Sequence, residues 1–183
     1  MSNRLPLLVM PLLFPYNLLY HRDIQKYMKW ITREKARVDR IACPWLIRKF
    51  VDPDAVFLFV PRDRVIEEAK RTGAIPFDTP GAELFHYKEG DYEFVTFDSI
   101  IRKYKLRDDA LLELAKIVRG ADASIPDAPP ESAGLEAAAT GFNLIAKDDF
   151  ENMRMQFPLY DALYEYCKSK VKEGSLLKHS VKR

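Results

Sequence analysis

Asp39-Arg40-Ile41-Ala42-Cys43-Pro44-Trp45-Leu46-Ile47-Arg48-Lys49-Phe50 is the densest mixture of reactive, charged and core-forming residues in the chain. Proline lacks an N–H and has a fixed φ, so it sits most comfortably at the first position of a helix. Placed there, Pro44 opens a helix that runs to about Val51, and Cys43 is its N-cap. Asp52-Pro53 ends it, because a residue before proline avoids the α region. The competing reading starts the helix at Asp39 and lets Pro44 kink it. In either case Trp45, Leu46 and Phe50 share an apolar face, with Arg48 and Lys49 pointing elsewhere. A cysteine at a helix N-terminus near Arg40 is where a thiolate or a bound oxyanion would be stabilised, which makes Cys43 a candidate nucleophile. The plainer account is that a free cysteine usually packs as a small hydrophobe.

Outward from this stretch, the first half carries the strands. Lys29 to Arg33 reads as a short strand and Arg33 to Arg37 as a charged connector. Ala55 to Val60 is a continuous β-rich apolar run suited to a strand buried on both faces. Arg62 to Arg71 has helical spacing and stops at Gly73. Ala74 to Asp78 is a second short strand, followed by the turn residues Thr79-Pro80-Gly81. Glu83 to Tyr87 alternates as a strand that puts Glu83, Phe85 and Tyr87 on one face and His86 on the other. Lys88 to Asp91 reads as a loop.

The second half is helical. Thr96 is a plausible N-cap for a helix to about Tyr104. Asp108 or Asp109 begins another helix that ends in Arg119-Gly120-Ala121-Asp122, a cation followed by a stop glycine. Glu131 to Lys147 and Asp148 to about Lys172 are the last helices, with Pro158 dividing the final one and Cys167 in the packing. Few strands in the first half and many helices in the second make an α+β protein, predominantly helical, its small β element packed on a helical second half.

A chain of 183 residues with 48% apolar residues, eleven Phe and nine Tyr has enough material for one globular core. The expected organisation is an extension over 1–27, one domain over 28–167 and a basic tail over 168–183. Leu5 to Phe14 is apolar but broken by Pro6 and Pro11, and is too short to span a bilayer. It has no small-residue cleavage site, so residues 1–27 read as a start-site artefact or as an arm on a partner subunit. Two distant cysteines give neither a disulfide framework nor a zinc spacing, and a reducing cytoplasmic setting is the default.

The net charge of +2 hides an uneven distribution. Residues 168–183 hold six Lys/Arg and one Glu, and residues 1–28 are also basic, so the body between is acidic. An acidic body argues against a broad nucleic-acid face. Arg33 to Lys49 is the local exception, where a small anion would be focused. Of the three histidines, His21 and His179 lie near the ends, which leaves His86 as the one held in a fixed environment.

Several motifs together resemble one family. They are Trp30-Ile31-Thr32-Arg33-Glu34, Val38-Asp39-Arg40-Ile41-Ala42-Cys43-Pro44-Trp45, Asp52-Pro53-Asp54-Ala55, Gly73-Ala74-Ile75-Pro76-Phe77-Asp78, Gly81-Ala82-Glu83-Leu84-Phe85-His86, Ile117-Val118-Arg119-Gly120-Ala121-Asp122 and Leu159-Tyr160-Asp161-Ala162-Leu163-Tyr164. The chain from about Lys29 to Cys167 looks like the chromate-resistance domain at the C-terminus of ChrB-type proteins. The resemblance implies a role in chromate resistance and chromate-responsive regulation, and it places the residues tied to chromate sensing on Arg33, Arg40 and His86. Two guanidiniums and a histidine also suit a tetrahedral dianion on chemical grounds. Two features depart from the family pattern. Regulators of this type carry an additional N-terminal domain that residues 1–27 cannot form, so DNA is not an expected partner. Val95 stands where relatives often have a cysteine.

The first functional expectation is a cytoplasmic module that binds or senses an oxyanion such as chromate, using Arg33, Arg40 and His86 with Arg48 as a further candidate. The second is an enzyme. Its thiol version uses Cys43, and its metal version draws ligands from His86, Glu83, Asp39 and Asp122, in a spacing that matches no standard metal motif. Opposite faces for Glu83 and His86 weigh against that ligand set. The third is a DNA-associated regulator acting through the basic tail. No cofactor is required by the sequence, a metal ion is compatible with it, and a homo-oligomer is left open.

Overall fold

The computed structural model describes residues 27–123 and 125–180, with side chains up to 175. The readings of the leader and of His21 and His179 lie outside the described residues or side chains. The chain folds as a predominantly helical α+β protein. In order, its elements are β1 (Lys29–Arg33), α1 (Val38–Leu46), a π-helical turn (Ile47–Val51), β2 (Val56–Val60), α2 (Val65–Thr72) and β3 (Ile75–Pro76). These are followed by β4 (Tyr87–Glu89), β5 (Tyr92–Phe94), α3 (Thr96–Lys103), α4 (Asp109–Asp122), α5 (Glu131–Ile145) and α6 (Asp149–Ser180).

β1 is the centre of a three-stranded parallel sheet of order β2-β1-β3, with Trp30 opposite Phe57 and Ile75. Strand alternation sends Trp30 and Ile31 to opposite faces. Trp30 joins the main core with α1, whereas Ile31 packs with Val65 and Ala69 of α2. β2 is therefore an edge strand, with Val56 exposed and Phe57 buried, rather than the strand buried on both faces that its apolar run suggests. Gly73 caps α2 at φ 68, the left-handed conformation that a C′ glycine adopts without penalty.

Four local readings are corrected. The helix starts at Val38, so Cys43 is not an N-cap and Pro44 lies inside α1. Pro44 gives up the helical bond to the Arg40 carbonyl, and after Leu46 the helix widens into a π turn, closed by Asp52 N–H on the Ile47 carbonyl at 2.8 Å. The segment around His86 is not a strand. Phe77 and Leu84 form an isolated bridge, and Tyr87–Glu89 pairs with Tyr92–Phe94 around Gly90 as an antiparallel hairpin. α4 runs through Gly120 to Asp122. A Cβ at Gly120 would meet Ala128 Cβ at 2.8 Å and press on Ser132, so the glycine serves a close approach rather than a stop. α6 likewise continues through Pro158.

α4 lies beside α1, α5 and α6, and its apolar residues Leu111, Leu114 and Val118 are fully buried in the main core. Trp45 sits against Tyr160 and Tyr164 of α6, and its indole donates to Asp161 at 3.0 Å. Cys167 is fully buried, as its packing role requires.

Candidate functional site

In a sheet whose strand order reverses, ligands collect outside the carboxyl ends of the strands at the reversal. Here that place lies beside β1 and β3. Arg33 is the last residue of β1, and Asp78 follows β3 in a left-handed conformation at φ 48. The first turn of α1 adds Asp39 and Arg40. The loop from β1 into α1 is fixed by α6: Asp149 accepts the Lys35 and Ala36 N–H groups at 2.9 and 2.6 Å, and Asn152 donates to the Ala36 carbonyl at 2.8 Å.

Asp39 is the most buried acid of the group. Its carboxylate accepts the backbone N–H groups of Thr96 at 2.8 Å and Phe97 at 3.1 Å, the positive N-terminal end of α3. Asp98 holds that end in place. It accepts the Val95 N–H at 3.1 Å and pairs with the guanidinium of Arg119 at 2.7 and 3.0 Å. Arg119 in turn lies over the Phe94 ring at 4.6 Å. Val95, rather than Thr96, is the N-cap of α3, and Thr96 turns its hydroxyl to Asp78 at 3.2 Å.

His86 stands at the middle. Its Nε2 is 3.4 Å from Asp78 Oδ1, 3.4 Å from Asp122 Oδ2 and 3.6 Å from Asp39 Oδ2. Its Nδ1 is 3.3 Å from Glu93 Oε1 across the hairpin. Asp78 Oδ2 accepts Arg40 at 2.9 Å and Arg33 at 3.4 Å. Burial pulls the His86 pKa down, but the neighbouring carboxylates of Asp122, Asp39 and Asp78 override this and push it up to about 12. Burial pushes Asp39 up to about 6, against the opposing pull of His86. Burial also acts to raise Asp78, yet His86, Arg40 and Arg33 hold it below the usual carboxylate range. Arg33 is lowered by burial and by the neighbouring charge of Arg40.

The structure brings together Arg33, Arg40, His86, Asp39 and Asp122 from the sequence-derived candidates. Glu83 is turned away and pairs with Lys103 at the surface. Arg48 is also remote, bonded to the Ala55 carbonyl at 3.3 Å and stacked on Phe57. Cys43 touches the cluster from beneath, its thiol donating to Asp39 Oδ1 at 3.3 Å. It is fully buried, and burial together with the Asp39 charge pushes its pKa well up. Those are the surroundings of a protonated packing thiol and not of a thiolate nucleophile. Asp78 and Glu93 are the members that sequence reasoning did not single out. Asp78 reads as the end of the strand Ala74 to Asp78, before the turn Thr79-Pro80-Gly81, with no role beyond that. The available signal was its place at the end of a strand in a parallel sheet.

Fold and site define a small α+β protein with a carboxylate–histidine–arginine centre at the carboxyl edge of a parallel sheet. The family described as "ChrB, C-terminal domain" matches residues 30–167, and the chain belongs to this chromate-resistance domain family. Protein ChrB of Cupriavidus metallidurans is 32% identical over 152 residues, which cover 81% of this chain and 44% of that relative. The chain thus spans less than half the length of the relative it matches. No solved structure matches. Among the described residues, no helix is long and apolar enough to cross a membrane.

Proposed function

We propose that this chain binds a tetrahedral oxyanion of the chromate class at the edge formed by Arg33, Arg40 and His86, and that it works as a sensing or sequestering module in the cytoplasm. The observation that carries this reading is the state of the two guanidiniums. Each has five N–H donors, and Asp78 takes one from each. The Nε–H of Arg33 and that of Arg40 are buried without an acceptor among the described residues. Unpaired buried donors are costly, and an anion held by the two guanidiniums would offset that cost. The mutual repulsion of the arginines points the same way, because a dianion next to them would relieve it. The rigid fork of a guanidinium matches an oxyanion edge better than an ammonium does.

Calorimetric titration of the chain with chromate, with sulfate as competitor, tests this reading. Hydrogen bonds to charged groups are worth about 1.5–3 kcal/mol each. Saturable binding that weakens about 10–100-fold in Arg33→Ala and Arg40→Ala supports the proposal. Binding that is unchanged in both variants, or absent from the native chain, contradicts it.

A further inference from the structure

The acidic side of the centre has a geometry that the oxyanion reading does not use. Three carboxylate oxygens from three separate elements surround one imidazole nitrogen at 3.4, 3.4 and 3.6 Å. None is within the roughly 2.7–3.2 Å of a good N–H···O bond, and a single Nε2–H cannot serve three acceptors at once. The spacing suits a different arrangement. Ligand atoms placed about 2.1 Å from a tetrahedrally bound ion lie about 3.4 Å from one another. The ligand atoms of Asp39, Asp78 and His86 all lie within 4.8 Å of each other.

The charges lead to the same place. Asp78 is neutralised by Arg40 and Arg33, whereas among the described residues Asp39 and Asp122 have no lysine or arginine partner. Their cationic neighbour is His86; an imidazole that ligates an ion gives up its proton, and the charge of the two carboxylates then matches one doubly charged ion. The outer contacts are those of a metal centre as well. Glu93 holds the far nitrogen of His86, the carboxylate–histidine pairing that fixes a ligating imidazole. Asp122 Oδ1 is held by the Asp39 N–H at 3.3 Å, Asp78 Oδ2 by the two arginines, and Asp39 Oδ1 by the Phe97 N–H. Each carboxylate is thereby oriented with its other oxygen toward Nε2.

The geometry points to a divalent-cation site built from His86 Nε2, Asp39 Oδ2 and Asp78 Oδ1, with Asp122 beside the histidine and Glu93 behind it. One nitrogen and two carboxylate oxygens, with solvent in the remaining positions, suit a first-row ion such as Zn2+, Co2+ or Mn2+. The assignment does not rest on oxyanion binding. The two sites share His86 and Asp78, so a bound cation would lie next to the arginine edge.

The test is titration of the chelator-treated full chain with Co2+ in chromate-free buffer, read by visible absorption, with Zn2+ as competitor. The expected result is one saturable Co2+ site per chain that Zn2+ displaces. Glu93→Gln, a change at the surface, should weaken it about 10–100-fold, the usual effect of losing an outer-shell partner. His86→Gln, which removes a ligand, should weaken it more than that. If the native chain takes up no ion, or if both variants bind as the native chain does, the assignment is overturned. Because no oxyanion is present, failure here is distinct from failure of the chromate titration.

Discussion

His86 Nε2 and Asp122 Oδ2 lie 3.4 Å apart, although one belongs to the approach to a hairpin and the other to the last turn of α4. The contact depends on α4 continuing past Gly120. That glycine lets α4 press on Ala128 and Ser132, whose hydroxyl donates to the Ile117 carbonyl at 2.9 Å.

Gly120→Ala is therefore expected to destabilise the protein, even though alanine is the better helix former. A forced methylene in a tight contact costs about 1–3 kcal/mol, against a propensity gain of about 1 kcal/mol. Urea unfolding at equilibrium measures the difference. A variant more stable than the native chain would show that the approach is not tight.

Arg119 links three elements by bonding Asp98 and Tyr92 and covering Phe94. Both members of the Arg119–Asp98 pair are largely buried. Arg119→Met leaves Asp98 without its cation, and breaking such a pair costs about 3–5 kcal/mol. Denaturant unfolding should show a loss of this order. It should be larger than the loss from Arg102→Met, whose pair with Glu89 is exposed.

Cys43 and Cys167 are both buried, and both thiols are pushed to higher pKa, Cys167 to about 11. A raised thiol pKa lowers the thiolate fraction at any pH below it. Labelling by a maleimide at pH 8 should accordingly be far slower in the native chain than in urea, and should speed up as pH rises. Rapid modification of Cys43 in the native state would restore a thiol-based reading.

Much of this architecture is legible in the sequence, and the exceptions have physical causes. Lys29–Arg33, the α2 stop at Gly73 and the Asp108 cap on Leu111 at 2.7 Å follow from local pattern and capping chemistry alone. Gly120 and Pro158 read as breaks because a glycine or proline is ambiguous until its neighbours are known. The first is explained by Ser132, and the second lies within a helix buried along one side by Tyr160 and Tyr164. The Tyr87–Phe94 hairpin escapes notice because Lys88-Glu89-Gly90-Asp91 is polar enough to be a loop, while its pairing rests on a Tyr87–Phe94 stack at 4.8 Å. At the site, Asp39, His86, Arg33 and Arg40 are visible from chemistry and resemblance. Asp78 becomes meaningful only when three parallel strands place it beside Arg33. Alternation correctly parts Glu83 from His86, although the strand it assumes does not form.

The most direct measurement is a crystal of the chain soaked in chromate, with data collected on both sides of the chromium absorption edge. The account predicts an anomalous chromium peak bounded by the guanidiniums of Arg33 and Arg40 and within reach of His86. A single peak elsewhere on the molecule, or none at saturating chromate, would contradict it.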